Sequence, residues 1–143
     1  DGRYEEQLYA PGGGTKLGTT YQTIDNRDHF FKMRGNELFK IAVRSMAEIS
    51  AEMLEKAGYT VSDVDLVVPH QANQRITDAV ASRLGVPEER VYSNIAQHGN
   101  TSSASIPIAI DECVDSGKIK EGSLVLLTAF GGGVTWGGTL LRF

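Results

Sequence analysis

Val64-Asp65-Leu66-Val67-Val68-Pro69-His70-Gln71-Ala72-Asn73 is the stretch on which the fold turns. The first five residues are nearly all apolar and β-branched or leucine, the pattern of a short strand buried on both faces. Proline ends it, and a helical period follows at once, with Ile76, Val80 and Leu84 on one face and Gly85 closing it. A strand feeding directly into a helix is half of a βαβ unit, which predicts an α/β fold with a mostly parallel sheet. His70 then stands at the carboxyl end of the strand, where such sheets place their ligands.

Working outward, Gly35 to Ala57 carries Phe39, Val43, Met46, Ile49, Met53, Leu54 and Ala57 at three- and four-residue steps. That stripe predicts a helix of about 35 Å, with Asn36 as its N-cap and Gly58 as a left-handed C-cap. Val91-Tyr92-Ser93 is a further strand candidate. A third helix is expected over about 102–116, with Ile106, Ile110, Cys113 and Val114 inward and Gly117 closing it. Leu124 to Phe130 reads as the strongest strand, Gly131-Gly132-Gly133 as a turn, and Val134 to Phe143 as a returning strand. Residues 1–30 lack a period and are expected to form an irregular connecting segment before an α/β domain over 31–143.

Composition restricts the function. The 143 residues are 41% hydrophobic and 22% charged, ordinary for a globular domain with a core. A net charge of −4 argues against non-specific nucleic-acid binding. The apolar run 124–130 is too short to span a bilayer. No signal sequence is recognisable, and a single cysteine fits a reducing, cytoplasmic setting. No Cys/His cluster has metal-ligand spacing. Asp1-Gly2-Arg3 opens without an initiator Met, so the chain is expected to be a segment of something longer.

Twenty-eight residues after His70 begins His98-Gly99-Asn100-Thr101-Ser102-Ser103. A neutral imidazole and a carboxamide at strand ends are both hydrogen-bond donors, suited to a reaction that builds negative charge on an oxygen. Each has a plainer reading. A histidine after a strand is more often structural than catalytic, and Asn100 or Thr101 could simply cap the next helix. His70 and His98 stand as rivals. The glycines at 131–133 read either as a tight turn or as exposed N–H groups for a ligand oxygen. Arg75, one turn into the second helix, reads first as a solvated arginine. Cys113 lies late in its helix on the face of Ile106 and Ile110, a small buried hydrophobe rather than a nucleophile.

Several stretches together resemble the C-terminal half of the β-ketoacyl-acyl-carrier-protein synthase III family of thiolase-like condensing enzymes. They are Leu8-Tyr9-Ala10-Pro11-Gly12-Gly13-Gly14, Met33-Arg34-Gly35-Asn36-Glu37-Leu38-Phe39-Lys40, Val68-Pro69-His70-Gln71-Ala72-Asn73, His98-Gly99-Asn100-Thr101-Ser102-Ser103-Ala104-Ser105, Ala129-Phe130-Gly131-Gly132-Gly133 and Trp136-Gly137. The resemblance implies one copy of a duplicated βαβαβ unit, with a layered, mostly parallel or mixed sheet and helices on both faces. It implies an acyltransferase that condenses an acyl-CoA primer, acetyl-CoA being the expected one, with malonyl-ACP by decarboxylative Claisen condensation, starting fatty acid synthesis without a further cofactor. His70 and Asn100 match the His and Asn of a Cys-His-Asn triad, and Gly132 matches an oxyanion N–H. Gly35, Phe39, Ala72 and Asn73 match the CoA and substrate tunnel, and Arg75 matches a docking position for acyl carrier protein. It also implies a full-length homodimer. The family's nucleophilic Cys lies in the N-terminal half, which these residues do not include, so the chain alone is expected to be inactive. Two other readings remain: a non-catalytic half-domain that binds CoA or a partner subunit, and a specialised relative making another ketone or a signalling product.

Overall fold

The structure, a computed structural model, describes residues 1–143. They form two compact units, one of residues 1–41 with 131–135, the other of 42–130 with 136–143.

In the first unit, the stretch expected to be irregular carries short elements. A 3₁₀ helix (Gly2–Gln7) leads into β1 (Leu8–Tyr9), which pairs antiparallel with β2 (Lys32–Met33). Helix α1 (Tyr21–Asp25) is capped at Thr20 by a reciprocal capping box with Thr23. Helix α2 (Gly35–Ala57) begins in this unit. Asn36 is not its N-cap: the Leu38 N–H already donates to the Arg34 carbonyl at 3.0 Å, so the cap lies two residues earlier and Asn36 is inside the helix.

In the second unit, α2 continues to Ala57 and ends as its sequence predicts. Gly58 takes φ +74°, and the Tyr59 N–H reaches back to the Leu54 carbonyl at 2.9 Å, the 6→1 bond of a Schellman cap. Met46 and Leu54 are buried, Ile49 and Met53 half-buried, and Ala57 is exposed. Strand β3 (Leu66–Pro69) is buried throughout and pairs in parallel with β4 (Leu124–Gly131), in the register Leu66↔Val125 to Pro69↔Thr128. Between them come α3 (Gln74–Leu84), α4 (Ile95–His98) and α5 (Ser105–Asp115). The last strand, β5 (Thr135–Arg142), lies next to β4 in the order β3-β4-β5. Three residues are too few for a crossover, so β5 returns antiparallel.

The strand period of two sorts the core into two layers. Val67, Leu124 and Leu126 face Leu54 of α2 and Leu84 of α3. Leu66, Val68 and Val125 face Ala109 and Cys113 of α5. Helices therefore cover both faces, which is why β3 reads as a continuous apolar run rather than an alternating one. Each such side chain contributes about 1.5–3 kcal/mol by leaving water.

Two expectations change. Residues 91–93 are not a strand: Val91 makes a single parallel bridge to Val67, and the Tyr92 N–H bonds the Val67 carbonyl. The groups that would extend the ladder are taken by the amide of Gln71, which donates to the Tyr92 carbonyl at 3.3 Å and accepts the Asn94 N–H at 3.1 Å. The third helix is broken in two, a 3₁₀ turn at Ser102–Ala104 preceding α5, and Ser102 adopts φ +57°.

Candidate active site

His70 follows the last residue of β3, and its N–H donates to the Thr128 carbonyl of β4 at 2.8 Å. Its position is thus fixed by the sheet itself. The imidazole is half-buried, and burial pushes its pKa below the ordinary value of 6.5, favouring the neutral ring. Nδ1 lies 2.6 Å from Ser105 Oγ at the first residue of α5. That hydroxyl oxygen also accepts the Gln71 N–H at 3.4 Å. A Ser105 proton given to Nδ1 leaves the hydrogen of the neutral ring on Nε2. His70 is thus held from behind at Nδ1, with Nε2 free of bonds within the chain.

Asn100 reconciles the two readings of its sequence. Its Oδ1 accepts the Ser102 N–H at 2.9 Å, so it does cap the following turn. The same bond orients the amide, and Nδ2, which makes no bond within the chain, becomes the outward donor on an exposed side chain. Gly99 allows this approach. It sits at φ +67°, ψ −159°, a combination open essentially to glycine alone. No atom lies within 4 Å of where a Cβ would stand, so any cost of Gly99→Ala is conformational rather than a clash. Gly99→Ala is expected to lose about 1–3 kcal/mol of stability, read as a lowered midpoint in thermal unfolding.

The rival imidazole is committed elsewhere. His98 Nε2 lies 2.6 Å from a Glu112 carboxylate oxygen, which can only accept, so that nitrogen's hydrogen is used internally. Cys113 is fully buried in the core layer of α5, and burial pushes its thiol up to about 11. It is inert as a nucleophile.

The remaining candidates fall as follows. Ala72 is half-buried beside His70 and donates its N–H to the His70 carbonyl at 2.9 Å. Asn73 caps α3, its side chain accepting the Arg75 N–H at 2.9 Å, and both residues are exposed at that helix's start. Gly35 is the exposed first residue of α2, Phe39 is half-buried one turn later, and Gly132 is exposed in the turn after β4. A concavity of about 250 Å³ opens beside the carboxyl end of β4, walled by Ile106, Thr128, Ala129, Gly137 and Gly138. Among the described residues no group of His, Cys, Asp and Glu could hold a metal ion, and no helix is long and apolar enough to cross a membrane.

Two supporting residues carried no role in the sequence reading. Gln71 is buried at 1% exposure and bonds Pro69, Tyr92 and Asn94, tying the end of β3 to the stretch that leads to Asn100. A glutamine two residues after a strand-ending proline, at the carboxyl end of a buried strand, is the signal that could have exposed it. Ser105 holds the His70 ring at Nδ1. Removing one hydrogen bond of this kind costs about 0.5–1.5 kcal/mol, so Ser105→Ala is expected to slow any reaction using His70 about three- to tenfold, measured as turnover.

Comparison with known proteins agrees with this frame. Residues 54–143 match the family described as 3-oxoacyl-[acyl-carrier-protein] synthase III C terminal. The chain is 45% identical over all 143 residues to the β-ketoacyl-[acyl-carrier-protein] synthase III of Natranaerobius thermophilus, covering 44% of that protein. It is 56% identical over 114 residues to the Aquifex aeolicus protein of the same name, covering 80% of this chain and 37% of that one. The crystal structure of the Aquifex aeolicus enzyme superposes on the whole chain with a TM-score of 0.86 at 50% identity, over 42% of its own length. The chain thus spans less than half the length of the curated relatives it matches. It belongs to the 3-oxoacyl-[acyl-carrier-protein] synthase III family and carries that family's C-terminal thiolase-fold region.

Proposed function

We propose that this segment supplies the decarboxylation half of an active site that condenses an acyl-CoA primer with malonyl-ACP. The observation that carries the reading is the pair His70 and Asn100. Each has one polar atom tied back into the protein and a nitrogen left free of bonds within the chain. When a malonyl thioester loses carbon dioxide, the electron pair of the breaking C–C bond moves into an enolate, and negative charge builds on the thioester oxygen. Two neutral donors stabilise that charge in the transition state more than the uncharged carbonyl of the ground state, which is the condition for catalysis. The enolate carbon then attacks an acyl thioester, forming the new C–C bond and expelling the thiolate.

The thiol that holds the acyl group comes from outside this segment, since Cys113 is sealed in the core. Gly132 would give its N–H to the oxyanion formed at the acyl thioester. Gly35, Phe39, Ala72 and Asn73 would line the approach of CoA. Arg75, exposed at the start of α3, would meet the acidic carrier protein although the chain is net acidic. The two thioesters suffice without a further cofactor, and we place the assembled enzyme in the cytoplasm as a homodimer.

The test joins residues 1–143 to the amino-terminal part carried by a relative and assays 3-ketoacyl product from acetyl-CoA and malonyl-ACP. Product is expected from the joined protein and none from the 143-residue chain. Product from the chain alone would overturn the assignment of the nucleophile. The buried Cys113 also favours a second reading, a half-domain that binds CoA without chemistry. Calorimetry with acetyl-CoA on the folded chain would then show heat of binding while the joined protein shows no turnover.

A further inference from the structure

Glu112 has no part in the reaction as described above. Yet its carboxylate accepts three hydrogen bonds, from Tyr92 Oη at 2.8 Å, Asn94 Nδ2 at 2.7 Å and His98 Nε2 at 2.6 Å. All three donors belong to the stretch 92–98, which runs directly into Gly99 and Asn100. No other side chain takes three hydrogen bonds from this stretch. Helix α4 is a single turn with no side-chain cap, and Val91 contributes one isolated bridge. The remaining ties are the Tyr92 N–H to Val67, the Gln71 amide, the Ser93 hydroxyl donating to Gln74 Oε1 at 2.7 Å, and Tyr92 packed on the core layer of α5. The three donors hold the carboxyl down at about 2, so it is charged at any working pH, and the Tyr92 hydroxyl, pushed up to about 12, stays a donor.

Glu112 also sits seven residues after Ser105 on α5. Seven residues are close to two turns, so the two side chains share one face about 10 Å apart along the axis. From that face, Ser105 bonds His70 and Glu112 bonds the stretch leading to Asn100.

We propose that Glu112 is a positioning residue for Asn100, and that α5 is the common support from which both donors are aimed: His70 through Ser105, and Asn100 through Glu112 and its three partners. This rests on the reading of Asn100 as an enolate donor. Misplacing a reacting group by about 1 Å can cost on the order of 10²-fold. Side chains that touch no substrate can therefore govern the rate through the loop they hold.

The experiment is a double-mutant cycle in the joined protein, following malonyl decarboxylation and, separately, acyl transfer from acyl-CoA. Glu112→Gln keeps the size but removes the charge and one acceptor. It is expected to lower kcat for decarboxylation about 10- to 100-fold. KM for the malonyl substrate and the rate of acyl transfer should stay within about twofold, which a general loss of structure would not permit. Placed on Asn100→Ala, Glu112→Gln should cost less than about twofold more, because the group it aims is gone. Equal losses in both backgrounds, or an unchanged rate for Glu112→Gln, overturn the proposal. Tyr92→Phe, which removes a single hydroxyl, gives the same comparison should Glu112→Gln not fold. A wild-type rate for Asn100→Ala would instead defeat the reading of the site, an outcome separable from the failure of Glu112.

Discussion

Asn100→Ala, in the chain joined to an amino-terminal part, is expected to lower the rate of decarboxylative condensation by about 10²–10³-fold, or roughly 3–4 kcal/mol. The argument rests on which end of the amide is free. Oδ1 is held by the Ser102 N–H, so the substitution removes a donor already aimed outward. A donor of that kind acts mainly in the transition state, where the oxygen carries charge, so kcat should fall while KM for malonyl-ACP changes little. Acyl transfer from acyl-CoA, which passes through no enolate, should be spared. The substitution also removes a cap, with a cost of about 0.5–2 kcal/mol in stability. Asn100→Asp separates the two effects: it keeps the capping oxygen but replaces the donor by a second acceptor. If Asn100→Asp condenses at the wild-type rate, Asn100 is only a cap.

The elements legible in the sequence are those whose cause is local. Strand β3 announced itself because burial on both faces demands an unbroken apolar run. Helix α2 did so because one face meets the core at every turn, and Gly58 marked its end because few other residues adopt φ +74° readily. What the sequence hid was set by polar partners far along the chain. Residues 91–93 have a strand's composition, but the amide of Gln71, more than twenty residues earlier, takes the groups a ladder would use. His70 and His98 look alike as letters. Ser105, 35 residues on, engages Nδ1 of one imidazole and leaves its Nε2 free, and Glu112, 14 residues on, consumes the N–H of the other. Glu112 itself reads as one more charge on a solvated helix face. Periodicity reports which side of an element is buried, and it is silent on which distant acceptor completes a donor.

His70→Ala is expected to match Asn100→Ala in size, about 10²–10³-fold, because the two donors serve one developing charge. For the same reason the losses should not simply add in the double variant. His70 has a further signature in its pH dependence. Burial lowers its pKa below 6.5, so as pH falls the ring stays neutral past the point at which a free histidine would protonate. A neutral ring donates from Nε2 to the enolate oxygen. An imidazolium there would attract the malonyl carboxylate, stabilising the group that must leave and so the ground state rather than the transition state. The acid limb of the condensation rate should therefore belong to His70 and lie at lower pH than a free histidine's titration would set. In His70→Ala that limb should vanish and the residual rate run flat through the same window, whereas Asn100→Ala should keep the limb at its lower rate. A limb that persists unchanged in His70→Ala would assign the titration to another group and remove His70 from the chemistry, leaving its Ser105 contact as a purely structural bond between β3 and α5.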